Sequence, residues 1–168
     1  KSMLSFDRVF DTKVDSAYIL GEHLRPDRLK WIVFFSSVAG RFGNQGQVDY
    51  AAANEVVNRL ACQFDAQWPA TRVASINWGP WRGAGMATQG IQRQFVAKGI
   101  TAVEAADGRR FFVDELTYGQ KGEVEIIAGE GPWKVDSNQQ LSSLLELGAL
   151  FLGHRELGDL QGNAVAGA

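Results

Sequence analysis

Trp31-Ile32-Val33-Phe34-Phe35 is an unbroken apolar run of β-branched and aromatic residues, and glycines follow it at positions 40, 43 and 46. A run this short and this apolar, with no polar alternation, predicts a central parallel strand covered by helices on both faces. Arg72-Val73-Ala74-Ser75-Ile76-Asn77 is a second strand candidate, leading into the break Trp78-Gly79-Pro80-Trp81. Between the two lies a helical pattern from about Val48 to Gln67, with Ala53, Val56, Val57, Leu60 and Phe64 on one stripe. An amphipathic helix from Phe6 to Leu24 precedes the first strand, its stripe formed by Phe6, Val9, Phe10, Ala17, Leu20 and Leu24. The order helix, strand, helix, strand predicts a layered α/β sheet.

Downstream, the pattern predicts a modest helix around Met86 to Ala97, another from Val103 to Tyr118 with Ala106, Phe111, Phe112, Val113 and Leu116 inward, and a last strand from Val124 to Ala128. Residues 134–168 turn to Ser, Asn, Gln and Gly around a Leu-rich piece from Leu141 to Leu152, as in a linker or extension with one short helix. Residues 1–133 therefore form the expected folded unit. The glycines at 40, 43 and 46 read as a loop.

With 45% hydrophobic and 21% charged residues and a net charge of -2, the 168 residues are those of an ordinary globular domain with no electrostatic reason to bind nucleic acid or an anionic membrane. No apolar run approaches the ~20 residues that cross a bilayer, and no signal peptide opens the chain, so the expected location is cytoplasmic. Cys62 is the single cysteine, which excludes an internal disulfide and a cysteine-based zinc cage, and it reads as a small core residue. No metal site is expected.

The candidate chemistry lies in Ser36 to Asn54. A serine at a strand end and a tyrosine at the start of the next helix can converge on one small reacting group, and Tyr50 and Asn54, four apart, project from nearly the same helix face. Lys13 interrupts the apolar stripe of the first helix, where an ammonium is unwelcome unless it reaches water or a polar site. Singly, each has a bland reading: Tyr50 an interfacial aromatic, Ser37 a cap, Asn54 a solvated residue, Lys13 a snorkelling side chain.

Together, Phe34 to Asn54, Ile76 to Trp81 and Gly85-Met86-Ala87 resemble the catalytic half of a ketoreductase domain from a polyketide synthase or a related polyunsaturated fatty-acid synthase, in the short-chain dehydrogenase/reductase superfamily. The resemblance covers roughly residues 4–133. It implies an α/β fold with a Rossmann-like parallel sheet and flanking helices, of which this chain is the C-terminal half. It implies a catalytic set of Lys13, Ser37, Tyr50 and Asn54, with the lysine upstream and the asparagine four after the tyrosine. This is the exchanged arrangement of polyketide ketoreductases, and Asn54 speaks against a nucleotide-sugar epimerase. The same resemblance implies NADPH as cofactor, contacted by Lys13, Tyr50, Gly79, Pro80 and Trp81, with Phe42, Gln47 and Met86 near the substrate.

The chemistry makes the residue types intelligible. Hydride delivery to a ketone builds negative charge on its oxygen, so a donor must wait there. Tyr50 supplies the proton in this reading, Lys13 eases its loss, Ser37 polarises the carbonyl, and Asn54 holds Lys13 or a water. The implied substrate is a β-ketoacyl thioester on an acyl carrier protein, and the implied partners are that carrier, the N-terminal half and neighbouring synthase domains. No glycine-rich dinucleotide fingerprint follows a first strand in these residues, which leaves a catalytically silent structural segment of a synthase as the alternative.

Overall fold

The computed structural model describes residues 2–83, 93 and 95–133. The chain opens with helix α1, Met3–His23, whose N-cap Ser2 accepts a hydrogen bond from the Ser5 amide at 3.3 Å. A single 3-10 turn, Pro26–Arg28, leads into strand β1, Trp31–Ser37. Helix α2, Val38–Phe42, and helix α3, Val48–Gln67, follow, then strand β2, Arg72–Trp78, helix α4, Ala105–Tyr118, and strand β3, Glu125–Ala128. Both ladders are parallel, in the order β1-β2-β3, with Trp31 opposite Arg72 and Ser75 opposite Glu125.

Two apolar clusters, one on each face of the sheet, hold these layers together. On one face Phe34 and Val73 pack with Ala17 of α1 and Val57, Ala61 and Phe64 of α3. The alternate residues Ile76 and Trp78 point the other way, joining Ala128, Val33, Trp81 and the α4 residues Phe111 and Phe112. The period-2 alternation of each strand is thus spent on two different helical layers, as the sequence pattern requires. The α3-facing side of β2 is partly polar: the buried Asn58 side chain accepts from Ser75 Oγ at 2.7 Å and donates to Asn77 Oδ1 at 3.0 Å. Buried amides are tolerated there because they partner one another.

The parallel α/β architecture of the sequence reading is observed, with four local corrections. The segment after β1 is not a plain glycine loop, because Ser37 caps the five-residue helix α2, with the Ala39 amide donating to Ser37 Oγ at 3.2 Å. Gly40 is tolerated in that helix because a Cβ there would sit 2.8 Å from Asn54 Cβ and 3.0 Å from its backbone, so α2 rests directly on α3. The helix ends at Gly43, whose φ of 71° is a left-handed conformation that glycine adopts without strain. Second, Trp31 and Phe35 of β1 are 47% and 52% exposed among the described residues, where β1 is the outer of three strands.

Third, the α1 stripe buries only Ala17, while Leu20 is exposed and Phe6 stacks on Phe10 at 5.6 Å along the helix itself. Fourth, in α4 the side chains of Ala106 and Val113 face solvent, and Gly108 is the buried position because the Trp81 indole lies against it. Cys62 is half-buried beside Glu125, with Sγ 3.7 Å from Oε1, and burial raises its thiol pKa. The predicted helix around Met86 and the extension 134–168 lie outside the described residues, apart from position 93 and residues 95–97 in the former. No helix among the described residues is long and apolar enough to cross a membrane.

Candidate active site

The C-terminal ends of β1 and β2 open on one cleft of about 400 Å³. This is where parallel α/β sheets collect ligands, because the strand ends leave backbone and following loops free to shape a crevice. Lys13, Ser37 and Tyr50 all line it, as do Gln47 and the run Gly79-Pro80-Trp81. Three residues from three different elements are therefore brought to one space.

Each is held by its own element. Lys13 extends from α1 to donate from Nζ to the Phe35 carbonyl at 2.9 Å, and the same nitrogen lies 5.8 Å from the centroid of the Tyr50 ring. The ring face attracts the cation and the carbonyl fixes it. Burial without a carboxylate partner lowers the Lys13 pKa from its ordinary value. Ser37 ends β1 and turns its hydroxyl both into the cleft and toward the Ala39 amide, so the cap and the site use one oxygen.

Tyr50 lies in the first turn of α3, next to the fully buried Asp49, whose Oδ1 accepts from the Tyr50 amide at 2.9 Å. Asn54 sits one turn further and is fully buried. Its Nδ2 donates to the Tyr50 carbonyl at 2.7 Å, its backbone carbonyl accepts from Ser36 Oγ at 3.2 Å, and its Oδ1 is buried without a hydrogen-bond partner. Asn54 is thus placed behind the cleft rather than on its lining.

Phe42 does not line the cleft either. It stacks on Trp133 with ring centroids 5.2 Å apart and planes 15° from parallel, and Trp133 is on the lining. Gln47 is oriented by Asn44, whose Nδ2 donates to Gln47 Oε1 at 2.9 Å. Met86 lies outside the described residues. Sequence reasoning missed Asn44, Phe95, Ile100 and Trp133 as cleft residues, all of them in loops or at element ends where no periodicity marks them. The buried run of β2 and its tryptophans close the floor: Trp78 packs on Trp81 at 4.8 Å and on Phe35 at 5.6 Å, and its Nε1 is buried without a partner.

The donors on the lining include the Lys13 ammonium, the Ser37 hydroxyl and the Tyr50 phenol, a combination suited to an electron-rich oxygen, and no group of metal-ligating side chains occurs among the described residues. Residues 2–83 match the KR domain family. A polyunsaturated fatty acid synthase polypeptide of Thraustochytrium sp. is 39% identical over 103 residues, covering 61% of this chain and 4% of that protein. Mycoketide-CoA synthase of Mycobacterium tuberculosis is 36% identical over 110 residues, covering 63% of this chain and 3% of that protein. The ketoreductase from the first module of phoslactomycin biosynthesis in a Streptomyces species superimposes with a TM-score of 0.68 at 29% identity, over 79% of this chain and 30% of that structure.

Proposed function

Because residues 2–83 of this chain belong to the KR domain family, we propose that it forms the proton-donor side of an NADPH-dependent reductase of β-ketoacyl thioesters carried on an acyl carrier protein. The observation that carries the reading is the convergence of Lys13, Ser37 and Tyr50 on one cleft from α1, β1 and α3. In this reading Ser37 and Tyr50 donate to the ketone oxygen, and their hydroxyls stabilise the charge that develops on it. Tyr50 gives up its proton to that oxygen. Lys13, fixed over the ring, favours the phenolate left behind, and Asn54, donating from Nδ2 to the Tyr50 carbonyl, steadies the turn that carries the phenol.

The residues present fit the nicotinamide end of the cofactor. Gly79 packs against Gly129 on one side, where an added Cβ would meet it at an ordinary 3.4 Å, and lines the cleft on the other, with no side chain of its own between its main chain and a ligand. Lys13 and Tyr50 would contact its ribose, and Gly79 to Trp81 would flank its ring. When bound, NADPH supplies the hydride. The proposed setting is cytoplasmic, within a synthase whose neighbouring domains and carrier protein deliver the substrate.

The test is reduction by the longest native polypeptide carrying this chain, given NADPH and a β-ketoacyl thioester. Stoichiometric formation of the β-hydroxyacyl thioester supports the proposal. Substrate binding without any NADPH consumption would favour the silent structural segment instead.

A further inference from the structure

Trp133 is held across the cleft from both sides. Its Nε1 donates to the Gly129 carbonyl at 3.4 Å, just beyond β3, while its ring stacks on Phe42 at the end of α2. Gly131 makes the turn that lets it do so, because a Cβ there would lie 2.8 Å from the indole. The polar atom of this side chain is therefore turned to its own loop. What the indole offers to the cleft is an apolar aromatic surface, with Phe42 fixing its plane from behind.

On the α1, β1 and α2 side the cleft mixes polar groups, Lys13, Ser37, Asn44, Gln47 and Tyr50, with the small or partly turned apolar side chains of Phe35, Val38 and Ala39. A ligand whose oxygen sits between Ser37 and Tyr50 and whose remainder is hydrocarbon meets an apolar wall on the α2 side, made by Val38, Ala39 and the much larger Trp133 indole. Trp133 is the aromatic part of that wall, and the part stacked on Phe42. We infer that Trp133, backed by Phe42, is a specificity-determining residue that packs against the acyl chain beyond the ketone and sets the preferred chain length. The inference rests on the proposed thioester reduction and names the part of the substrate that this residue reads.

The test compares W133A, W133F and W133L with the parent in the native polypeptide, using small-thiol thioesters from ketobutanoyl to ketodecanoyl. The inference predicts that W133A raises KM for the ketodecanoyl thioester by about 10-fold or more, the scale of losing an apolar contact in a pocket. KM for the ketobutanoyl thioester and kcat for both should stay within about two-fold. W133F, which preserves a stack on Phe42, should keep the length preference, and W133L should fall between, which also covers the case of an unfolded W133A. Equal effects on short and long thioesters, or none, would overturn it. If the parent reduces no thioester, the functional proposal fails, and calorimetric binding of the matching β-hydroxyacyl thioesters still decides this one. Length-dependent binding lost in W133A supports it, and binding insensitive to length or to W133A overturns it.

Discussion

Lys13 shows how one residue can contradict its surroundings for a reason. It stands on the stripe that α1 turns toward α3, where Leu or Met would pack without cost, and its ammonium instead reaches the Phe35 carbonyl and the Tyr50 ring. Burial lowers its pKa from 10.5. Between that lowered value and 10.5 the unfolded chain holds more protons than the folded one, so this group's contribution to stability rises with pH across the window. Replacing Lys13 by Met removes the buried charge and keeps the stem. Thermal unfolding near neutrality should be unchanged or shifted upward, while reduction becomes slower. The part of the pH–rate profile that follows loss of the Lys13 proton, expected below pH 10.5 in the parent, should be absent from the variant. A variant with parental rate and pH profile would return Lys13 to a packing role. The anomaly itself was legible in sequence, as was the spacing of Ser37, Tyr50 and Asn54. Trp133 was not, because a loop residue brought to a site by tertiary packing leaves no periodic trace.

Among the elements, α2 carries the most structural information per residue. Its five residues place Ser37 at one end and Phe42 at the other, and its seat on α3 exists because Gly40 has no side chain. Helix propensity argues against a glycine in that position by about 1 kcal/mol, which is why the pattern reads as a loop. Close approach to Asn54 outweighs that preference. A Gly40→Val substitution would push α2 off α3 and is expected to destabilise the fold by about 1–3 kcal/mol, as overpacking does. It should also slow reduction by displacing Ser37. Denaturant unfolding and turnover should therefore fall together, and a Gly40→Val protein with parental stability would show that the α2–α3 contact is slack. In α4 the same logic explains why Ala106 and Val113 face outward. Helical spacing marks two overlapping stripes there, and the Trp81 indole against Gly108 selects between them.

At the scale of the molecule, the strands and α3 were readable because buried parallel strands are predominantly apolar, and β2, buried from Val73 to Trp78, departs from that only at Ser75 and Asn77, which bond to Asn58. Ion pairs that bind the layers, Arg72 with Glu115 and Lys121 with Asp65, join residues far apart in sequence and carry no local signature. The chain spans 30% of the solved ketoreductase it matches, and no glycine-rich turn follows a first strand in it. Titration of the 168 residues alone with NADPH is accordingly expected to give weak or undetectable heat, since pyrophosphate recognition depends on such a turn. Micromolar binding would mean that the cofactor is held elsewhere. The central claim concerns the phenol on α3, and replacing Tyr50 by Phe removes only its hydroxyl. In the native polypeptide, kcat for NADPH-driven reduction of a β-ketoacyl thioester should drop by at least ~10²-fold, the scale of general acid catalysis, with KM little changed. A Tyr50→Phe protein that turns over at close to the parental rate would contradict the account.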